Sequence, residues 1–364
     1  MCVDWELAYI MPNLNCTQKF ETEYVAVVPY EDERIQNIRK NNKDANILLD
    51  GFIDDMKRKI EPAVLIFNKR SPEKVKTVEA IVSFRNLIAM SVLLMGWSAV
   101  RPEGTPFNPL FSDSFDFYPI TLGKDHGLIT ITPAITGYRT TDAPFIGMPS
   151  MKVPRFLRLS YDVDDVLFDA LLRIWKKRFL TPGKNDKHSR RLFRSIEMAY
   201  HALSVPSKNE STHYDYGVNI SLWVSAFEIL AHQNKSNVDL NTVLGLLETY
   251  PWTDRKLKAK RYKIIYRRNK KNVNLIQKMY KYLYDTRNGF LHGNEIDKNV
   301  LFPGGNKKMQ PLFVIAPTIY RIALFSYLNK NKMVKQPKSL HEFEYYIIQR
   351  RYEDFLLNII GKEE

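Results

Sequence analysis

The chain is 364 residues long and 45% hydrophobic, which is enough for two packed cores and excludes a disordered polymer. It carries 54 Lys and Arg against 40 Asp and Glu, a net charge of +14. Residues 1–150 sum to −3 and residues 151–364 to +17, so the basicity lies in the C-terminal part and the expected partner is a polyanion such as a nucleic acid; the alternative is a solvated basic surface that only keeps the protein soluble.

Two cysteines, Cys2 and Cys16, with no Cys-x-x-Cys pair argue against a disulfide framework and a cysteine zinc site. They fit a reducing, cytoplasmic setting. The opening Met-Cys-Val-Asp-Trp-Glu has early acids and no basic stretch, so no secretory signal is expected. Residues 5–11, 23–30 and 63–67 are short apolar, β-prone runs that predict strands. Ser71 before Pro72 predicts a helix start, with Ser71 as N-cap and Pro72 at the first helical position, and the helix continuing over 73–100. Its apolar part, residues 87–100, lies between Arg85 and Arg101. At about 14 residues it is too short to cross a bilayer, so it reads as a buried core helix and no membrane partner is expected. Strands are predicted over 115–121 and 127–132, with a turn at 123–126. A Pro/Gly-rich stretch over 143–154 predicts a boundary. Residues 1–150 thus read as an α+β domain, a candidate sensor through which a phage-derived or regulatory trigger acts. Residues 151–364 read as a second domain.

From residue 162 the pattern turns helical. Helices are predicted over 162–179, 189–203, 218–232, 241–250, 274–292, 316–329 and 342–360. Thr181-Pro182-Gly183, Pro206, Pro251 and Gly293 supply the stops. Residues 301–310, with Pro303-Gly304-Gly305, read as a loop. The expected fold is an N-terminal α+β domain followed by an all-α helical bundle.

None of the seven histidines belongs to a His-Glu-x-x-His motif or pairs with cysteine at metal spacing, and no phosphate-binding glycine loop is present. No metal and no cofactor are expected. The chemistry concentrates in Tyr284-Asp285-Thr286-Arg287-Asn288-Gly289-Phe290-Leu291-His292-Gly293-Asn294. Arg287 and His292 are five residues apart, about 140° around a helix and about 7.5 Å along it, so they flank a groove. Asn288 and His292 share a face. Gly289 inside the helix costs about 1 kcal/mol relative to alanine, which predicts the close approach of another backbone there. The bland reading is a surface arginine and a histidine favoured by the helix dipole. Upstream, Glu228 interrupts an apolar helix over 220–232. A lone acid on such a face needs a partner, and Arg287 is the natural one; the alternative is a solvent-facing position.

A second feature is the tract over 255–271, with ten Lys and Arg among 17 residues and no acid. Lys260, Arg261, Arg267 and Arg268 suit phosphates, and the interleaved Tyr262 and Tyr266 suit stacking on bases. The alternative is a solvated loop or helix face. Lys187, Arg190, Arg191 and Arg194 form a smaller cluster.

The run from Arg287 to His292 resembles the Arg-x4–6-His motif of the HEPN superfamily (higher eukaryotes and prokaryotes nucleotide-binding). Residues 222–232 and 286–294 together resemble its Apea-like branch. The resemblance spans roughly residues 155–330 and leaves out residues 1–150. It implies an all-helical homodimer and a metal-independent endoribonuclease, often a prokaryotic antiviral defence or toxin protein. Arg287, Asn288 and His292 would then be catalytic, with Glu228 and Tyr284 in support. Other members keep the fold as non-catalytic modules that bind RNA, nucleotides or proteins. In the first reading the ribose 2′-OH attacks the adjacent phosphate, His292 moves the proton, Arg287 stabilises the charged phosphorane, and Asn288 orients one or the other. The tract over 255–271 has no counterpart in the resemblance.

Overall fold

The computed structural model describes residues 4–53, 57–99, 111–123, 128–131, 136–138, 157–159, 163–181, 186–205, 212–232, 238–292, 297–334 and 343–360. The chain divides into two compact units, Met1–Arg85 with Phe111–Asp162, and Asn86–Leu110 with Val163–Glu364.

The first unit begins with β1 (Trp5–Met11), β2 (Leu14–Cys16), β3 (Phe20–Glu21) and β4 (Val25–Val28). Helices α1 (Glu33–Asn41) and α2 (Lys43–Asp50) precede β5 (Ala63–Asn68). Four of the strands form an antiparallel sheet in the order β1-β5-β4-β3. Strand β5 is central, and all six of its residues are buried, which explains its unbroken apolar run. Leu7, Ile10, Val28, Leu48, Leu49, Phe52, Val64 and Ile66 pack into one core. Asn42 closes α1 and caps α2, its side chain accepting from the backbone N–H groups of Asp44 and Ala45. The sequence reading had no α1 or α2, because residues 33–50 are polar enough to hide their short buried stripes.

Ser71 does not cap a helix. Its hydroxyl donates to the carbonyls of Asn68 and Tyr24, at 2.5 and 2.8 Å, and so fastens a turn. Helix α3 (Val78–Ser98) starts later, where the Thr77 hydroxyl accepts from the Ala80 N–H at 3.3 Å. Its C-terminal part, from Asn86, belongs to the second unit, where Met95 packs with Ile348 and Tyr352. The division therefore differs from one at residue 150: residues 86–110 leave the first unit and residues 151–162 join it. Residues 112–115 form a 3-10 turn, and the strand expected over 115–121 begins only at Ile120. Strands β6 (Ile120–Leu122), β7 (Leu128–Ile131) and β8 (Thr136–Tyr138) form an antiparallel sheet, and β9 (Leu157–Leu159) pairs in parallel with β2. The expected turn beyond Gly123, the stretch over 143–154, and the stop residues Pro182, Gly183, Pro206 and Gly293 lie outside the described residues.

The second unit is helical: α4 (Asp165–Phe179), α5 (Lys187–Ala202), α6 (His213–Ala231), α7 (Leu240–Glu248), α8 (Arg255–Ala259), α9 (Leu275–Leu291), α10 (Leu312–Lys330) and α11 (Phe343–Ile360). Asp164, Asp186, Thr212, Asp239, Asp254 and Asn274 cap the first six of these through their side chains, satisfying backbone donors at each start. Helix α10 is apolar on nearly every side and packs against α6, α7 and α9. Helices α3 and α10 are long and apolar enough to cross a bilayer, but 78% and 89% of their apolar windows are buried within the fold, as core helices are.

The sequence reading also placed no strands here, and the basic tract corrects it. After α8 the chain forms a hairpin of β10 (Tyr262–Tyr266) and β11 (Asn269–Val273).

One buried ion pair ties the start of α4 to the middles of α10 and α11. Arg321 of α10 donates from Nε to Asp164, the cap of α4, at 2.8 Å, and neither side chain has any exposure. Tyr352 of α11 donates to the same carboxylate at 3.0 Å, and Arg321 Nη1 donates to Gln349 at 2.7 Å. Burial works against the arginine's charge, but Asp164 outweighs it and Arg321 titrates above its ordinary range.

Candidate active site

Helices α6 and α9 lie against each other and run in opposite directions, with Phe227 beside Tyr280 and Gly217 beside Phe290. At Gly217 a Cβ would stand 2.3 Å from the Phe290 ring, so only glycine lets the motif helix seat there. Among the described residues the close approach expected at Gly289 is absent, since nothing lies within 4 Å of where its Cβ would be. Gly217 lies one residue before the helix expected over 218–232, and only the longer α6, His213–Ala231, places it inside a helix.

Tyr280, Tyr284 and Arg287 follow one another at helical spacing on one face of α9. Tyr280 is fully buried against Phe227, with ring centres 4.9 Å apart. Its hydroxyl has no hydrogen-bond partner among the described residues. Burial, then the nearby Glu228 carboxylate, push it far above the ordinary phenol range. The Arg287 guanidinium stands 5.3 Å from the centre of the Tyr284 ring.

The pairing of Arg287 with Glu228 is made. Arg287 Nη2 donates to Glu228 Oε1 at 2.5 Å, and Nη1 donates to the Asn288 side-chain oxygen at 3.2 Å. The side chains of Arg287 and Glu228 are 20% and 24% exposed, which leaves a solvent path to the guanidinium. Burial raises the pKa of Glu228, and the charge and hydrogen bond of Arg287 offset that only in part.

His292 is exposed and ends α9, its backbone N–H donating to the Asn288 carbonyl at 3.0 Å. Its imidazole makes no hydrogen bond among the described residues. The fold thus gathers Arg287, Asn288, Glu228 and Tyr284 and holds His292 one turn beyond Asn288, while the amide of Asn288 faces Arg287. Thr286 Oγ1 donates to the Val300 carbonyl at 3.0 Å and ties this end of α9 to the chain that follows.

The hairpin packs along α9. Tyr262, Ile264 and Tyr266 share its inner face, and Lys263 and Ile265 are exposed on the outer one with their partners Asn272 and Lys270. Lys278 of α9 stands 4.5 Å from the centre of the Tyr262 ring and Lys260 5.7 Å. Arg261 donates from Nη1 to the carbonyls of Lys258 and Lys260 and closes the end of α8. Lys260 and Tyr262 are therefore half-buried in packing and Arg261, though exposed, is bonded to the backbone, whereas Arg267 and Arg268 are exposed at the turn. Arg267 lies 5.1 Å from the centre of the Tyr266 ring. Burial raises the Tyr266 hydroxyl pKa and Arg267 lowers it, with smaller upward contributions from Tyr284 and Asp239. On α5, Lys187, Arg190 and Arg194 are exposed and Arg191 is half-buried.

Among the described residues no three of His, Cys, Asp and Glu converge as a metal site requires. Comparison with protein-family models, with curated proteins and with solved structures finds no match.

Proposed function

We propose that this chain is a metal-independent endoribonuclease of the HEPN type, acting through Arg287, Asn288 and His292. The observation that carries the reading is the seating of Arg287. A guanidinium has five N–H donors; one is used by Glu228 and one by Asn288, which leaves three for a phosphate. Glu228 fixes the fork and Tyr284 backs it, so the donors are oriented before substrate arrives.

In the reaction the ribose 2′-OH gives its proton to an imidazole and O2′ bonds to phosphorus. The P–O5′ bond breaks, and the leaving oxygen takes a proton from an imidazolium. The products are a 2′,3′-cyclic phosphate and a 5′-hydroxyl. A second copy of the chain brings a second His292 and divides the two proton transfers between them. A dimer is supported by exposed Tyr214 and Val218 on α6 and exposed Leu291 on α9, all at the end where Gly217 meets Phe290. Sedimentation as a monomer at micromolar concentration would remove that support. The first unit serves as a regulatory or sensing part, and a prokaryotic defence or toxin role in the cytoplasm is the setting that the resemblance implies.

The second reading is a non-catalytic module that binds RNA, a nucleotide or a protein. It is favoured by the link between Asn288 and Arg287 in place of one to His292. Incubation with total RNA in EDTA separates the two. Wild type should cut and leave cyclic phosphate ends, and His292→Ala should not. Cleavage that survives in His292→Ala, or that stops with EDTA, rejects the mechanism. Binding without cleavage selects the module.

A further inference from the structure

The hairpin of β10 and β11 closes on a two-residue turn, Arg267-Arg268, in which both residues have positive φ, 48° and 66°. A two-residue turn of this kind matches the twist of its strands, and Asn-Gly is the pair that adopts it readily. An L side chain in this region crowds its own carbonyl, and long side chains rarely visit it. Asn-Gly would close the same hairpin at lower conformational cost, so the arginines are not there for the turn. An observed outlier of this kind points toward function.

Three further observations say what the arginines meet. No acid occurs from Arg255 to Val273, so a negative partner is not supplied along the ribbon. Arg268 has no ion pair among the described residues, and the acid in the field of Arg267 is Asp239, which is already bonded to Thr242. The ribbon is also fixed: Ile264 is buried and Lys278 covers Tyr262, so the turn is held at the tip of a strand packed against α9, the helix that carries Arg287. A rigid tip with two forked cations, on a ribbon packed against the helix of the candidate phosphate site, is suited to a neighbouring phosphate of the same strand.

We propose that the Arg267-Arg268 turn is a second phosphate clamp, which grips the RNA backbone away from the phosphate at Arg287 and makes a strand of several nucleotides the preferred substrate. This rests on the ribonuclease reading of the Arg287 site.

The test is Arg267→Asn with Arg268→Gly in the full chain, which keeps the turn and removes both cations. The probe is a labelled 2′-O-methyl uridine oligonucleotide about 12 nucleotides long, which has no free 2′-OH and stays intact. Fluorescence anisotropy over a salt series is the readout. The variant should melt at or above the wild-type temperature, bind about tenfold more weakly or worse, and lose about 0.7–1.4 from the salt slope. Lys263→Ala with Lys270→Ala, two charges removed from the outer face of the same ribbon, should do less. Equal losses from the two variants would make the hairpin a diffuse basic surface and overturn the clamp. So would an undiminished slope, or no binding by wild type. A lower melting temperature would overturn the premise that the turn is costly. If wild type binds the probe and the turn variant does not, yet no RNA is cut, the ribonuclease reading fails and the clamp stands.

Discussion

Gly217→Ala tests the packing that seats the motif helix. In an open helix interior this change stabilises by about 1 kcal/mol, because glycine loses more backbone freedom on folding. Here the new methyl would stand 2.3, 2.5 and 2.6 Å from Cδ1, Cε1 and Cγ of Phe290. The clash includes Cγ, so spinning the ring does not relieve it. Either the whole ring swings away or the helices part. Overpacking of this kind costs about 1–3 kcal/mol, so the expected net effect is a loss of about 0–2 kcal/mol. Phe290→Ala removes the obstacle. In that background Gly217→Ala should stabilise by the full helix contribution, about 1 kcal/mol. The sign of the effect reverses, and the coupling between the two positions is about 1–3 kcal/mol. Urea unfolding of the four proteins measures it. Equal stabilisation in both backgrounds would refute the account of how α6 positions α9.

Arg321→Met leaves Asp164 buried without its counter-ion and should cost about 3–5 kcal/mol; a loss below about 1 kcal/mol in thermal unfolding would show that the pair is not buried as described. Glu228 titrates above its ordinary value of about 4.5, with burial the leading cause. A carboxyl raised in this way holds its proton more tightly when folded, so its stabilising contribution is full below that value and is lost as pH rises through the folded pKa. Wild type should therefore gain on Glu228→Gln as pH falls from about 7 to about 4, and a flat difference would mean that Arg287 compensates burial completely. Arg287→Lys keeps the charge and loses the fork, and should lower cleavage at least about 100-fold; undiminished cleavage would remove the paired donors from the mechanism.

The parts of this fold that were legible in the sequence follow from local rules. Strand β1 matches its expected range, and α9 lies within one residue of its own because Asn274 and Gln277 form a reciprocal cap. The pairing of Glu228 with Arg287 was legible because an acid in an apolar helix has few solutions. The hairpin was not, for two reasons. The alternation of Tyr262, Ile264 and Tyr266 is diluted by ten cations, and Arg-Arg carries no turn signal. Local logic fails where the chain spends stability on something else. Gly289 and Gly217 show a different limit. Both sit inside helices, and which of them lies under a neighbour depends on where two helices cross. The partnership of Asp164 with Arg321 was beyond reach because 157 residues separate them.

That separation sets an order of events during synthesis. The Asp164 carboxylate leaves the ribosome well before Arg321, and Tyr352 follows 188 residues behind it. At ordinary elongation rates the last partner arrives about 10–40 s after the first. Until then the carboxylate stays hydrated, and the cap of α4 cannot be sealed under α10 and α11. The second unit closes its deepest contact last. A nascent chain stalled before Tyr352 should keep that unit open to protease, and release of the finished chain should close it.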